Sequence, residues 1–120
     1  LIHALMDALL GAAGLKDIGY YFPPEDDAYK GISSMILLKH VNSLLKERGL
    51  EAYNIDIMVI SETPKLKPHI DTMKANLQSV LEIPLDRISI KATTNEMLGA
   101  IGRREGIAAQ AVVSVYEGEV

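Results

Sequence analysis

His3 and Asp7 stand four residues apart in the opening stretch LIHALMDALLGAAG, and positions i and i+4 share one face of a helix. An imidazole and a carboxylate that converge there suit a metal. Histidine is a common zinc ligand, and a neighbouring carboxylate orients its ring. The same two residues also suit a packed, hydrogen-bonded pair at the edge of a core. Later in the chain, Thr93-x-x-Glu96 in KATTNE has the capping-box pattern, in which Thr caps a helix and Glu reaches back. The alternative use is chemical: Thr93 and Thr94 at a helix start would cradle a phosphate, and Glu96 would hold a hard cation such as magnesium. Lys65, in SETPKLKP, offers an ammonium to a phosphate, and exposed backbone groups beside it can read a base edge. A plain strand-to-helix turn is the competing reading there. Asp17, ahead of Ile18 and Gly19, either accepts from sugar hydroxyls or closes a local turn on a solvated loop. Phe22, the only Phe of the chain, is a lid residue or a loop anchor. His40 is expected on the polar face of a helix. Arg103, Arg104 and Glu105 read as a solvated charged loop.

These groups need elements to hold them. Apolar residues Ile2, Leu5, Met6, Leu9 and Ala13 recur at helical spacing, which predicts a helix over residues 1–13 stopped by Gly14. Residues 15–30, with Gly19, Pro23, Pro24 and four acids, read as a loop. A second helix is expected from Ser33 to Arg48, with Leu37, Leu38, Val41, Leu44 and Leu45 inward and Gly49 at its end. The stretch EAYNIDIMVISE reads as a strand that becomes apolar on both faces, hence a central one. Pro68 opens a predicted helix through Leu81, with Ile70, Met73, Leu77 and Leu81 inward. RISIKA and IAAQAVVSVY read as two further strands, and TTNEMLGAIGRREG as a helical turn plus loop. The strand–helix–strand unit is expected to be parallel and right-handed. The resulting fold class is α+β: one small mixed β-sheet with helices packed on one face.

The 120 residues, 48% hydrophobic and 23% charged, suffice for one domain spanning 1–120. No apolar run is long enough to span a bilayer. A net charge of −4 without a basic stripe argues against nucleic-acid binding. With no cysteine, thiolate metal sites and disulfides are excluded, which fits a reducing compartment. Few aromatics in a small core favour burial by oligomerisation. The chain opens on Leu1-Ile2 with neither an initiator Met nor a capping residue. It therefore reads as a piece of a longer protein, truncated or incomplete at its amino end.

HALMDALLGAAGLKDIGYYFP, PKLKPHI and KATTNEMLGAIGRREGIA, in this order and at these intervals, resemble the 2-C-methyl-D-erythritol 2,4-cyclodiphosphate synthases. These are cyclases of the non-mevalonate isoprenoid pathway. The resemblance covers essentially the whole chain. It implies a homotrimer with active sites between neighbouring subunits, in the cytoplasm of a bacterium or in a plastid. The implied reaction converts 4-diphosphocytidyl-2-C-methyl-D-erythritol 2-phosphate to the cyclic diphosphate and CMP, assisted by metals. The substrate's own 2-phosphate attacks the β-phosphate of its diphosphate arm. Two anions must be brought in line, a problem of positioning and charge neutralisation.

Residue by residue, the resemblance implies that His3 is the helical histidine of a zinc site, with Asp7 as a site-shaping acid. Asp17, Ile18 and Gly19 would hold the ribose, with Phe22 in the same loop. Ser61, Pro64, Lys65 and Leu66 would enclose cytosine. Thr93 and Thr94 would contact the nucleotide and its diphosphate. Lys65 and Thr94 are the expected catalytic groups. Glu96 would hold a second cation, magnesium or manganese, and Arg103 would line a cavity on the trimer axis that takes an isoprenoid diphosphate in some members. The family's other zinc ligands, an Asp-x-His on a first strand, and a His-Ser pair would precede Leu1, so a first strand is expected to be missing from this chain. Pro24 stands where many members carry a substrate-facing acid, with Asp26 nearby. The alternative to the cyclase is a catalytically inactive trimeric module that binds cytidine nucleotide or isoprenoid diphosphate.

Overall fold

The computed structural model describes residues 1–23, 25, 31 and 33–118. Helix α1 runs Ile2–Ala12 and buries Leu5, Met6, Leu9 and Leu10. It ends as its sequence predicts. Gly14 takes φ +71°, its N–H donates to the Gly11 carbonyl at 3.0 Å, and the Leu15 N–H donates to the Leu10 carbonyl at 2.8 Å. This is the Schellman arrangement, which only a residue tolerant of the left-handed region closes cheaply. The following stretch departs from the expected loop: α2, Ile18–Tyr21, is one helical turn. Asp17 caps it by accepting from the Tyr20 N–H at 3.1 Å, so the residue that signalled a break supplies a helix start.

Helix α3, Ser34–Glu47, is capped by the Ser33 hydroxyl, which accepts from the Met35 N–H at 3.2 Å. It buries Leu38, Val41, Asn42 and Leu45. Strand β1, Leu50–Ile60, follows. After it, Lys67–His69 form a single 3-10 turn that contains Pro68 and leads into α4, Ile70–Leu81. Strand β2 spans Ile88–Thr93, α5 is the single turn Gly99–Gly102, and β3 spans Ala108–Glu117.

The sheet order is β2-β1-β3. Strand β1 is central and pairs β2 in parallel, with Ile60 opposite Thr93, and β3 antiparallel, with Ile60 opposite Ala108. This is the expected mixed sheet, with the strand–helix–strand unit parallel. Alternation then decides the layers. Ile55, Ile57 and Val59 of β1 and Ile88 and Ile90 of β2 are buried with Leu5, Leu9, Leu38, Leu45 and Leu77 of the helices in one core. Helix α1 lies on β3, α3 on β1 and α4 on β2. The other face carries half-buried Met58 and Ile60 and exposed Lys91 and Val112. There the Lys91 ammonium meets the Asp56 carboxylate at 3.1 Å.

Candidate functional site

Parallel β1 and β2 end side by side, and the loops that leave their carboxyl ends converge, as in other open α/β sheets. The Ser61 N–H donates to the Thr93 carbonyl at 3.0 Å, which extends the ladder by one bond. Past this point the chains separate and leave a cleft of about 220 Å³ lined by Ser61, Pro64, Lys65, Leu66, Lys67, Ala92, Thr93 and Thr94. The cleft thus gathers six of the residues singled out in the sequence: Ser61, Pro64, Lys65, Leu66, Thr93 and Thr94. Ser61 is buried, and its hydroxyl donates to the Thr63 carbonyl at 2.7 Å, which folds the turn back on itself ahead of a cis Thr63–Pro64 bond. Lys65 and Lys67 bring two exposed ammonium groups. The arrangement suits a flat ring held by backbone edges with an anionic tail on hydroxyls and ammoniums.

The segment after Thr93 does not form a capping box. Thr93 is the last residue of β2 and no helix starts there; α5 begins only at Gly99. The Glu96 N–H instead donates to Thr94 Oγ1 at 3.3 Å. Glu96 and Met97 both take left-handed backbone, φ +53° and +61°. Sequence reasoning passed over the acceptor that orders this turn: Glu62 Oε1 takes the N–H groups of both Asn95 and Met97, each at 3.0 Å. Its distance in sequence, 33 and 35 residues, hides it from any local pattern. Asn95 Nδ2 donates to the Leu98 carbonyl at 2.8 Å and closes the other side of the turn.

The remaining predicted residues lie apart from the cleft lining. His3 is exposed and borders a second cleft of about 410 Å³, with Leu1, Ile2, Ser34, Met35, Met73 and Asn76. Asp7 accepts from the Ile18 N–H at 2.9 Å, so its carboxylate ties α1 to the Asp17-Ile18-Gly19 turn. Among the described residues no three His, Asp or Glu side chains come together as a metal site. One imidazole among apolar and amide neighbours does not make a four-coordinate zinc centre. Glu96 meets a different demand. Magnesium is held by one or two carboxylates plus substrate phosphates, and an exposed carboxylate two residues beyond Thr94 fits that donor set.

Phe22 is half-buried against the core and meets the His40 ring edge-on at 6.1 Å, so it anchors its loop on α3. His40, expected to be merely solvated, is exposed yet has this aromatic neighbour. Arg103 forms a two-pronged pair with Glu105, at 3.3 Å from Nε and 3.0 Å from Nη2. Pro24 and Asp26 lie outside the described residues.

The profile of the YgbB family matches residues 1–116. A 2-C-methyl-D-erythritol 2,4-cyclodiphosphate synthase from Thermosynechococcus vestitus is 55% identical over 118 residues, 98% of this chain and 73% of that protein. The bifunctional IspDF of Campylobacter jejuni superposes with a TM-score of 0.91 at 46% identity, over 96% of this chain and 31% of that one. The IspF of Plasmodium falciparum, solved as a CDP complex, superposes with a TM-score of 0.85 at 31% identity, over 98% of this chain and 70% of that one. No helix among the described residues is long and apolar enough to cross a membrane. With its fold and nearly its whole length shared with these proteins, the chain belongs to the YgbB family, the 2-C-methyl-D-erythritol 2,4-cyclodiphosphate synthases.

Proposed function

We propose that the cleft between the ends of β1 and β2 is the cytidine diphosphate half of the active site of this cyclase. The reaction is the family's: an oxygen of the substrate's 2-phosphate bonds to the β-phosphorus, the bond from that phosphorus to the bridging oxygen breaks, and CMP leaves with the bridging oxygen. The observation that carries the reading is the joint lining of one cleft by Ser61, Pro64, Lys65, Leu66, Thr93 and Thr94. A binding-only module is not favoured over the enzyme, given relatives above 50% identity that bear the synthase name.

In this reading the 61–66 turn holds cytosine through backbone groups and the Leu66 side chain. Asp17, Ile18 and Gly19 take the ribose, which the Asp7 tie supports by fixing their turn. Thr94 Oγ1 accepts from a backbone N–H, so its proton is free to donate to a diphosphate oxygen. Lys65 neutralises charge that builds on the phosphates. A divalent cation, magnesium or manganese, would bind Glu96 and the diphosphate and supply electrostatic stabilisation of the phosphoryl group in transfer. His3 is proposed as one ligand of a second metal, with zinc the candidate. The described residues do not complete that site, and no step here depends on it. Exposed Met97 (80%), Leu98 (70%) and Val112 (71%) support a homotrimer that covers them. An isoprenoid diphosphate on the trimer axis would have to compete with Glu105 for Arg103. Single-domain protomers in a bacterial cytoplasm or a plastid complete the proposal.

The test is CMP release from the diphosphocytidyl substrate. Release should depend on divalent metal, stop with chelator, and fall about 100-fold or more in Glu96→Gln, the scale of a lost electrostatic contact at a transferring group. Undiminished release by Glu96→Gln would remove the carboxylate from the metal site. No release by the intact protein would end the reading.

A further inference from the structure

Glu62 is not among the residues that line the cleft, yet its carboxylate spans both of the site's loops. It follows Ser61, which lines the cleft, and one oxygen, Oε1, accepts from Asn95 and Met97. Those two residues flank Glu96, and Thr94 directly precedes them. Two successive non-glycine residues in the left-handed region, Glu96 and Met97, persist only where their surroundings over-determine them. The turn brings the N–H groups of Asn95 and Met97 to one point, a concavity of the kind that takes an anion. Here the anion is the protein's own side chain. Charge-assisted hydrogen bonds from two amides to one carboxylate oxygen are the stronger class of such bonds.

We infer that Glu62 is a positioning residue, the clamp that holds the Thr94–Met97 turn so that the Thr94 hydroxyl and the Glu96 carboxylate face the diphosphate. The inference rests on the proposed site. It assigns Glu62 no contact with substrate. Its oxygen replaces the hydrogen-bond partners that a helix would have given the turn, and it links the base-binding loop to the phosphate-binding one. A ligand that engages only the first loop should therefore be indifferent to Glu62, and one that reaches the second should not.

Four proteins separate the outcomes: the unaltered chain, Glu62→Ala, Glu62→Gln and Thr94→Ala, each titrated calorimetrically with CMP and with CDP in magnesium. Amide exchange at Asn95 and Met97 is followed by NMR. In Glu62→Ala, CDP should bind about 10-fold more weakly, one hydrogen-bonded contact's worth, with CMP within about twofold. Exchange at both amides should quicken about 100-fold as the turn opens locally. Glu62→Gln keeps an amide oxygen that accepts both N–H groups, so it should restore CDP binding and protection to near the unaltered values. Unchanged CDP affinity or unchanged exchange in Glu62→Ala overturns the clamp. So does equal impairment of Glu62→Gln and Glu62→Ala, or an equal loss of CMP and CDP affinity. Should Thr94→Ala bind CDP normally, the proposed site falls and takes this inference with it. Should Thr94→Ala weaken CDP while Glu62→Ala does not, only the clamp is lost.

Discussion

Two of the clefts that carry predicted site residues are built differently. At the ends of β1 and β2, every turn is closed within the chain: Ser61 on Thr63, Glu62 on Asn95 and Met97, Asn95 on Leu98. At the start of α1, His3 borders a cleft of Leu1, Ile2, Met35 and Met73, and no group of three metal-ligating side chains forms among the described residues. Nucleotide recognition needs hydroxyls, ammoniums and backbone edges fixed in place, and a single chain can supply these. A zinc centre needs three or four ligands at one point, and one turn of helix offers one imidazole. The polar cleft closes its own turns, whereas the single imidazole makes no metal site among the described residues.

The largest effect is expected at Gly102. A Cβ there would overlap the Met97 carbonyl carbon, so Gly102→Ala must displace backbone on one side or the other. The expected cost is roughly 2–3 kcal/mol, as for overpacking elsewhere, read as a lower melting temperature, with CDP binding lost alongside. The apolar packing of α1 should be untouched. A Gly102→Ala protein that melts and binds CDP like the original would show that the turn is not pre-built.

How much of this was legible beforehand divides along the same line. Helices α1, α3 and α4 and all three strands follow from apolar period, because burial against one sheet face imposes it; Leu38, Val41 and Leu45 on α3 and Ile55, Ile57 and Val59 on β1 are examples. Gly14 and Gly49 ended helices as expected, both with positive φ. The α2 turn was missed because Asp17 and Gly19 read as punctuation, although an Asp before a helix is also a cap. Thr93-x-x-Glu96 misled for a deeper reason. The pattern promises a helix start, but a partner 33 residues away supplied the acceptor for these amides, and no short window of sequence contains it. The resemblance named the ligand of the cleft residues, since each residue alone had an equally good structural use.

Asp7 carries a smaller effect. The sequence pairs it with His3, whereas the structure ties it to the Ile18 N–H. Asp7→Ala should cost about 1 kcal/mol for the lost acceptor and loosen the turn proposed for ribose. Asp7→Asn retains an oxygen that accepts the same N–H and should match the original in thermal melts. If instead both variants change metal uptake and neither changes stability, Asp7 belongs to the imidazole cleft after all.

The smallest effect comes from the far end of the sheet, near the pairing of Leu50 with Glu117. The Tyr116 phenol donates to Glu51 Oε2 at 2.7 Å and meets the Tyr53 ring edge-on at 5.8 Å, while Arg87 lies 4.3 Å from the centre of that ring. The hydrogen bond to Glu51 raises the phenol's pKa above its ordinary 10.0, burial and the Glu51 charge add to this, and Arg87 opposes it. A phenolate would stand against a carboxylate, so the folded chain holds this proton more tightly than the unfolded one. The stabilisation is therefore complete below pH 10.0 and disappears as pH rises through the folded value. Tyr116→Phe lacks it at every pH. The stability curves of the two proteins, followed by urea unfolding, should differ slightly at neutral pH and converge in alkali, with phenolate absorbance reporting the titration. CDP affinity should be the same in both, because none of the clefts that carry predicted site residues includes Tyr116. A gap between the curves that widens in alkali would reverse the sign and leave Glu51 without this role.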